Sequence, residues 1–300
     1  MSTLPVVAAV DGSDDSRRAL DWALDAARRR GAPLRVAHVR HHSAWTQSGA
    51  PVVVPPPPQD DPVLADVRAR LAETEDPPPT EYAALDGAPG ALLPELGAAA
   101  QLLVLGSRGR GGFASLLLGS NGLTAARDAE CPVVVVPRPD REVDDTFPAG
   151  PGPRVVVGLK VDGPDDATLD LAFTEAALRG ARLEVVAAYP WPIQSWAAPG
   201  DLAAPVYDQE AIEHETRTLA DGFLAPHRTR HPGVRAEPLP LPGDAAGLLV
   251  AASKGAALVV VGRHRRRLLV PARMLGSVTH AVLLHAASPV AVVPPAPAEE

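Results

Sequence analysis

The chain has 300 residues, which is enough for two domains of about 150 residues each. Hydrophobic residues make up 46% of it but aromatic residues only 4%, so its core must consist mainly of Val, Leu and Ala. The net charge of −8, with acidic and basic residues interspersed, gives no support for a surface that binds nucleic acid.

Three features predict a cytoplasmic protein. Cys131 is the only cysteine, so no intrachain disulfide can form, and we expect this thiol to be buried and inert. The first residues lack the basic segment and apolar stretch of a signal peptide. No apolar run reaches the ~18 residues that a membrane span needs, so no membrane partner is expected.

The first half of the chain alternates short apolar runs with amphipathic segments. Residues 6–10 form a continuous apolar run, as a strand buried on both faces requires. A helix then runs to about residue 30, and Gly31 follows it where a left-handed cap is favoured. Further strands are predicted at 34–39, 81–85, 102–105 and 133–136, and further helices at 62–73, 92–100 and 120–129. Strands that alternate with helices predict an α/β fold with a parallel, doubly wound sheet.

The second half of the chain repeats the first. Without a gap, a shift of 149 residues places residues 30–32 on residues 179–181, and both segments read Arg-Gly-Ala. With a slightly larger shift, residues 119–120 fall on residues 276–277, and both read Gly-Ser. The preserved order indicates a duplicated unit of about 150 residues. The predicted division is a first domain at 1–138, a linker at 139–153, a second domain at 154–295 and a tail at 296–300.

Two features of the first repeat meet at the carboxyl edge of the predicted sheet, where open α/β sheets bind ligands. Asp11 ends the first strand. The fourth strand is followed by Gly106 and Gly109 and, after nine further residues, by Gly119 and Ser120 at the start of a helix. Glycines let backbone N–H groups approach phosphate oxygens, and a helix N-terminus attracts anions. Ser120 is placed either to cap that helix or to bind phosphate.

Each of these features also has an ordinary structural explanation, because Asp11 to Ser13 could simply cap a helix and the glycines could form a turn. Their convergence favours a nucleotide site, in which Arg108 adds a cation and Asp11 meets a ribose or a phosphate-bound Mg²⁺. The sequence shows no Ser-His-Asp or G-x-S-x-G arrangement and no P-loop signature. We therefore assign no catalytic residue, and we expect no metal site from the protein alone.

Three segments together resemble the universal stress protein family. They are Val-Asp-Gly-Ser at 10–13, the spacing of Gly106, Gly109 and Gly119, and Cys-Pro-Val-Val-Val-Val-Pro at 131–137. The resemblance covers both repeats, as in tandem-domain members, and the spaced glycines are those of the ATP-binding branch. It implies a five-stranded parallel sheet in each domain, with a Rossmann-like fold of the adenine nucleotide alpha hydrolase type. It also implies an ATP-binding protein with a regulatory or stress-response role rather than strong catalysis.

The same resemblance implies roles for individual residues. Asp11 would contact the nucleotide, the backbone at Val39 would face adenine, and Gly106 would lie by the ribose. The candidate nucleotide-binding residues of the first repeat, of which the last four would hold the phosphates, are Val10, Asp11, Gly12, Ser13, Val39, Gly106, Arg108, Gly109, Gly119, Ser120 and Asn121. Family members often carry Ser or Thr where this chain has Gly122, which would remove one hydroxyl contact.

The second repeat departs from this pattern. Lys160 replaces the aspartate at the end of the first strand, and Arg265 replaces the second glycine. Gly262, Gly276 and Ser277 remain, although one more residue separates the loop from the helix. A Cβ at position 265 should obstruct a close approach of the backbone to phosphate, so these three residues are only secondary candidates. The sequence favours a scaffold domain with a solvated basic loop.

The last strands of the two repeats, at 133–136 and 290–293, are short and apolar, and bare edges of this kind invite aggregation. We therefore expect the two repeats to pair through these strands within the chain. A further homodimer of whole chains is a second possibility. The leading hypothesis for function is a regulatory protein that binds ATP or another adenine nucleotide. The alternatives are a slow ATPase or phosphotransferase, and an interaction module that has lost its nucleotide.

Overall fold

The fold consists of helices packed on both faces of a sheet. The structure is a computed structural model, and it describes residues 4–40, 57, 60–109, 118–139, 141–143, 147, 150–190, 208–263 and 275–296. The strands are β1 (Val6–Ala9), β2 (Leu34–Arg40), β3 (Thr80–Asp86), β4 (Leu102–Gly106), β5 (Val133–Val136), β6 (Arg154–Gly158), β7 (Arg182–Tyr189), β8 (Ala236–Pro242), β9 (Leu258–Gly262) and β10 (Val290–Val293). The helices are α1 (Asp14–Arg30), α2 (Pro62–Ala72), α3 (Pro89–Leu96), α4 (Ser120–Asp128), α5 (Asp166–Arg179), α6 (Gln209–Arg230), α7 (Ala245–Ala252) and α8 (Ser277–His285). Within the described residues, no helix is long and apolar enough to cross a membrane.

The ten strands of the described residues join in one sheet, in the order β3-β2-β1-β4-β5-β10-β9-β6-β7-β8. The five strands of the first unit (β1–β5 with α1–α4) are parallel, and so are those of the second unit (β6–β10 with α5–α8). The strand order reverses between β1 and β4 in the first unit and between β6 and β9 in the second. The predicted α/β fold, with two tandem doubly wound five-stranded units, is confirmed. Each reversal marks a position where ligands bind in folds of this class.

The local sequence explains where α1 begins and ends. The Ser13 side chain accepts a hydrogen bond from the backbone N–H of Ser16 (3.2 Å) and caps the N-terminus. Gly31 ends the helix with a φ of 57°, the left-handed conformation predicted for it, and Gly180 ends α5 in the same way with a φ of 56°. Between its caps α1 buries a stripe of mostly small apolar residues, namely Ala19, Leu20, Ala23, Leu24, Ala26 and Ala27. These small side chains allow the helix to lie close to the sheet.

The two units are joined edge to edge by β5 and β10. These strands run antiparallel, with Val134 opposite Ala291 and Val133 opposite Val292. Every residue of both strands is buried. The predicted pairing of the two last strands is therefore confirmed. Because the pairing is antiparallel, the carboxyl edge of the first unit lies beside the amino edge of the second.

A buried cluster of charges ties α1 to α5 across the boundary between the units. Glu175 of α5 is fully buried and accepts hydrogen bonds from Arg30 of α1 and from Arg179 of its own helix. Arg30 and Arg179 occupy equivalent positions of the two repeats, so one carboxylate serves a pair of related guanidinium groups. Arg29 adds a hydrogen bond to the carbonyl of Leu178 (3.3 Å). The units are thus held together by polar contacts as well as by the sheet.

Cys131 lies just before β5 and is 5% exposed. Burial disfavours the charged thiolate and raises the pKa of this thiol to about 12, although hydrogen bonds from backbone N–H groups and the nearby Arg263 act in the opposite direction. The expectation that this thiol is buried is confirmed, and at neutral pH it is almost entirely protonated.

We expect Glu175→Gln to destabilise the protein strongly. The substitution keeps the size of the side chain but leaves Arg30 and Arg179 buried without their counter-charge, which typically costs about 3–5 kcal/mol. Urea denaturation should show this loss in the free energy of unfolding. As a control, Asp25→Ala removes an exposed ion pair with Arg29 and should change that free energy by less than about 1 kcal/mol. Equal effects of the two substitutions would contradict a structural role for the buried cluster.

Candidate functional site

The carboxyl edge of the first unit brings Asp11 and the glycine loop together. Asp11 follows β1, and the next residue, Gly12, has a φ of 79°, a conformation that favours glycine. Gly109 lies directly against the Asp11 carboxylate, because a Cβ built on Gly109 would stand 2.5 Å from Asp11 Oδ2. The two features that the sequence analysis singled out therefore meet beside the point where the strand order reverses between β1 and β4.

The Asp11 carboxylate is held in place by Ser13. Asp11 Oδ1 accepts hydrogen bonds from the backbone N–H (3.0 Å) and the hydroxyl (2.6 Å) of Ser13. The same hydroxyl accepts the capping bond from Ser16, so Ser13 is engaged within the protein. Val10 is buried, and its N–H donates to the carbonyl of Ala37 (2.9 Å) in β2. Val10 and Ser13 thus position Asp11, which is itself partly exposed at the edge.

Gly106 has a packing role at the end of β4. A Cβ on this residue would lie 2.6 Å from the backbone C and O atoms of Asp15, in the first turn of α1. No side chain fits at that distance from a backbone atom in a close-packed interior. The close approach of β4 to α1 therefore requires glycine here, whether or not a ligand is bound.

The N-terminus of α4 is formed by Gly119, Ser120 and Asn121. Gly119 is the capping residue, and its N–H donates to the carbonyl of Ser107 (2.8 Å), which closes the loop after β4. The Ser120 side chain does not cap the helix, and both Ser120 and Asn121 are exposed. The first bond along the helix runs from the N–H of Leu123 to the carbonyl of Gly119 (3.2 Å). The N–H groups before Leu123 therefore have no partner within the helix.

Gly122 lies in a tightly packed position in the first turn of α4. It is buried, and a Cβ there would stand 2.9 Å from Cδ1 of Leu118 and 3.3 Å from Cδ1 of Leu105. At the equivalent position of the second unit, the hydroxyl of Thr279 donates to the carbonyl of Gly262 (2.7 Å). In the second unit the hydroxyl at this position thus bonds the backbone, whereas in the first unit glycine fits the space beside Leu118 and Leu105.

A buried carboxylate that the sequence analysis did not name organises the loop after β4. Asp15 is 2% exposed. It accepts hydrogen bonds from the Ser107 hydroxyl (3.0 Å), Arg138 Nε (3.0 Å) and Arg18 Nη2 (2.5 Å). These bonds join α1 to the ends of β4 and β5. In the sequence, an acidic residue in a first helical turn indicates only a favourable interaction with the helix dipole.

Arginines surround Asp15 on the side that faces the second unit. Burial and the nearby Arg108 lower the pKa of Arg141, whereas Asp15 opposes this shift. Arg141 Nη1 also donates to the carbonyls of Leu284 (2.8 Å) and Ala286 (3.1 Å), at the C-terminus of α8. Together with the two arginines that bond Asp15, these side chains gather four guanidinium groups around one buried carboxylate.

A second buried network lies at the carboxyl end of β2. Asp61, which is fully buried and caps α2, lies 2.8 Å from Nδ1 of His38. Arg40 Nη2 donates to Asp86 at the end of β3 (2.6 Å). Val39, between His38 and Arg40, is buried in the core on the other face of the strand. The sequence analysis named Val39 but missed the network beside it, because Asp61 is 23 residues away along the chain.

The second unit has a different arrangement at its carboxyl edge. Lys160, at the position equivalent to Asp11, is exposed and pairs with Asp162 (3.2 Å). A Cβ on Gly262 would stand 2.8 Å from the Thr168 hydroxyl, so this glycine serves the packing of β9 against α5. Gly276 caps α8, and Ser277 is exposed as Ser120 is in the first unit.

Some of the predicted loop lies outside the described residues, including Gly111, Gly112 and Arg265. Among the residues that are described, no group of three or more His, Cys, Asp or Glu side chains is arranged to hold a metal ion. The described part of the candidate site comprises Asp11, the start of the glycine loop and the N-terminus of α4.

Known proteins resemble this chain over nearly its whole length. The model of the universal stress protein family matches residues 3–137 and 153–294. A universal stress protein of Mycobacterium tuberculosis is 31% identical over 295 residues, which cover 96% of each chain. The crystal structure of a universal stress protein from Archaeoglobus fulgidus matches 97% of this chain and 98% of that protein's chain. The two chains are 18% identical with a TM-score of 0.63, a likeness that supports the fold alone. A universal stress protein solved in complex with cAMP covers 45% of this chain and 97% of its own, with 30% identity and a TM-score of 0.32, and the ligand is a property of that protein.

Asp61 makes the stability of the first unit depend on pH. Burial alone would raise the pKa of this carboxyl, but the hydrogen bonds from the Leu64 N–H and from His38 outweigh it, and the pKa is lowered. The charged form therefore stabilises the fold above the pKa of the unfolded chain, about 4, and this contribution is lost as the pH falls through the lowered value.

We expect Asp61→Asn to remove this pH dependence, because asparagine still caps the helix but carries no charge. Wild type should be more stable than the variant at pH 5, and the difference should shrink as the pH falls below about 4. Urea denaturation across this range measures the difference. The exposed pair of Asp66 with Arg17 (3.6 Å) supplies a control, since Asp66→Asn should show little change with pH. A difference for Asp61→Asn that stays constant through pH 3 would contradict the prediction.

Proposed function

Because the chain belongs to the universal stress protein family, we propose that its first unit binds an adenine nucleotide, with ATP as the leading ligand. In this proposal the protein acts as a regulatory or stress-response nucleotide sensor rather than as an efficient enzyme. The observation that carries the proposal is the contact between Gly109 and the Asp11 carboxylate, which joins the two halves of the candidate site at the strand reversal.

The donors and acceptors at this edge suit the parts of a nucleotide. Asp11 Oδ1 accepts hydrogen bonds from the backbone N–H and the hydroxyl of Ser13, which hold the carboxylate at the edge of the sheet, and a carboxylate there suits ribose hydroxyls. The N–H groups at the start of α4 have no partner within the helix and carry the positive end of its dipole, so they suit phosphate oxygens. The exposed hydroxyl of Ser120 is not needed as a cap and is available to the same phosphates. The backbone of Val39, on the strand beside Asp11, would face the adenine base.

The charge around the site also suits a polyphosphate. Arg108 follows Ser107, which bonds Asp15, and Arg141 approaches from the linker. An anionic ligand would be attracted to the arginines of this cluster. A Mg²⁺ ion would enter with the phosphates, held by them and by Asp11, rather than through a site made by the protein alone.

In this proposal the second unit is a scaffold without a nucleotide of its own. Lys160 stands at the position equivalent to Asp11 and pairs with Asp162 (3.2 Å), so a cation replaces the acceptor at that position. We therefore expect one nucleotide per chain.

Native mass spectrometry of the freshly purified protein is the most direct test. It should detect an adenine nucleotide that co-purifies with the chain, with a stoichiometry that does not exceed one. Protein that never carries a nucleotide, and that also fails to bind added ATP, would instead indicate an interaction module.

We expect saturating ATP with Mg²⁺ to raise the melting temperature of the wild type. A ligand at 100 times its Kd adds about 2.7 kcal/mol to the stability of the folded state. The double variant Asp11→Ala, Gly109→Val should lose this shift, because it removes the acceptor and fills the space beside it. The matched control is Lys160→Ala at the equivalent position of the second unit, which should keep the full shift. Each shift is measured against the same variant without ligand, and equal shifts in wild type and the double variant would overturn the proposed site.

A further inference from the structure

The C-terminus of α4 lacks the usual means of ending a helix. Its capping residue, Ala129, has an extended conformation (φ −62°, ψ 149°), so no left-handed glycine folds the chain back over the last turn. The N–H of Ala129 bonds the carbonyl of Ala125 (3.0 Å), and the carbonyls after Ala125 are left without a bond along the helix. These carbonyls also carry the negative end of the helix dipole.

An arginine of the other unit supplies the missing cap. Arg263 directly follows Gly262 at the end of β9 and is 9% exposed. Its Nη1 lies 2.5, 3.0 and 3.4 Å from the carbonyl oxygens of Arg127, Ala129 and Ala126. A buried cation thus meets the orphan carbonyls of α4 and offsets the negative end of its dipole.

This contact does not follow from the duplication alone. At the other end of the molecule, Arg141 binds the carbonyls of Leu284 and Ala286 in α8, which are equivalent to those of α4. Arg141 comes from the linker, however, whereas Arg263 comes from the end of a strand. The residue of the first unit that corresponds to Arg263 is Ser107, and Ser107 bonds Asp15 instead of a helix in the other unit.

We propose that Arg263 is a positioning residue for the phosphate end of the nucleotide site in the first unit. The proposal rests on the proposed function, because α4 is the helix whose N-terminus would hold the phosphates. This helix has nine residues, so its two ends are only about 13 Å apart, and a shift of its last turn moves its first turn as well. The second unit, in which Lys160 replaces the acceptor Asp11, would thereby hold the binding helix of the first.

If Arg263 positions the phosphate end of the site, its removal should weaken the binding of the phosphates more than that of the nucleoside. If Arg263 is purely structural, its removal should not favour one part of the ligand over the other. Without Arg263, α4 is held less firmly as a whole, so the N–H groups at its start must be ordered when phosphates bind. Adenosine has no phosphate and should depend little on α4. The ratio of ATP affinity to adenosine affinity therefore separates the two roles.

The experiment measures the Kd of ATP-Mg²⁺ and of adenosine by calorimetry on the full chain, well below the melting temperature of every variant. We expect Arg263→Ala to weaken ATP about tenfold while adenosine changes less than about twofold. Arg263→Lys keeps a cation at the helix end and should show an intermediate loss, and it also tests the proposal if the alanine variant fails to fold. The matched control is Arg228→Ala, which removes an arginine that bonds a backbone carbonyl within the second unit (Ala236, 2.8 Å) and should leave both affinities unchanged.

Two results would overturn the proposal, and they differ from each other. If Arg263→Ala lowers the melting temperature but keeps the wild-type ratio of ATP to adenosine affinity, Arg263 is only structural and the proposed function stands. If the wild type itself binds neither ligand, the proposed function fails, and the positioning role fails with it.

Discussion

The antiparallel pairing of β5 with β10 is the constraint on which the rest of the arrangement depends. Two parallel sheets that meet through their last strands must point in opposite directions, so the carboxyl edge of each lies beside the amino edge of the other. The C-terminus of α8 consequently faces the candidate site of the first unit, where Arg141 reaches it. The C-terminus of α4 faces the carboxyl edge of the second unit, where Arg263 reaches it. Arg141 and Arg263 thus make contacts between the units at the edges where ligands bind in this class of fold.

The glycine run could form a tight turn, a binding site or both, because glycines allow the backbone to pack closely in either case. Gly106 allows β4 to touch α1 at Asp15, and Gly109 allows the loop to touch Asp11. Both contacts exist in the protein alone. Packing in the protein alone therefore explains both glycines, and the same lack of side chains is what the proposed approach of phosphate would require.

The elements of the fold could be predicted from the sequence because they depend on short-range patterns. The apolar run of β1, the stripe of α1 and the cap at Gly31 are all local, and the structure has each of them. The duplication also made the pairing of the last strands predictable, since both are short and apolar. The network of Asp15 with Ser107 could not be predicted, because its members lie 92 residues apart and become neighbours only in the sheet. Sequence patterns therefore predicted that Asp11 and the glycine loop meet, but not the buried charges around Asp15.

The duplication has been followed by a division of roles between equivalent positions. Ser107 bonds the buried Asp15 of its own unit, whereas its counterpart Arg263 leaves its unit and caps α4. At the boundary between the units, Glu175 binds both Arg30 and Arg179. The counterpart of Glu175 in the first unit is Ala26, so a single carboxylate pairs with the two equivalent arginines. A second unit with such duties must keep its fold even without an acceptor equivalent to Asp11. Its buried core supports the contacts that Glu175 and Arg263 make with the first unit, and Lys160 in place of Asp11 leaves both contacts intact.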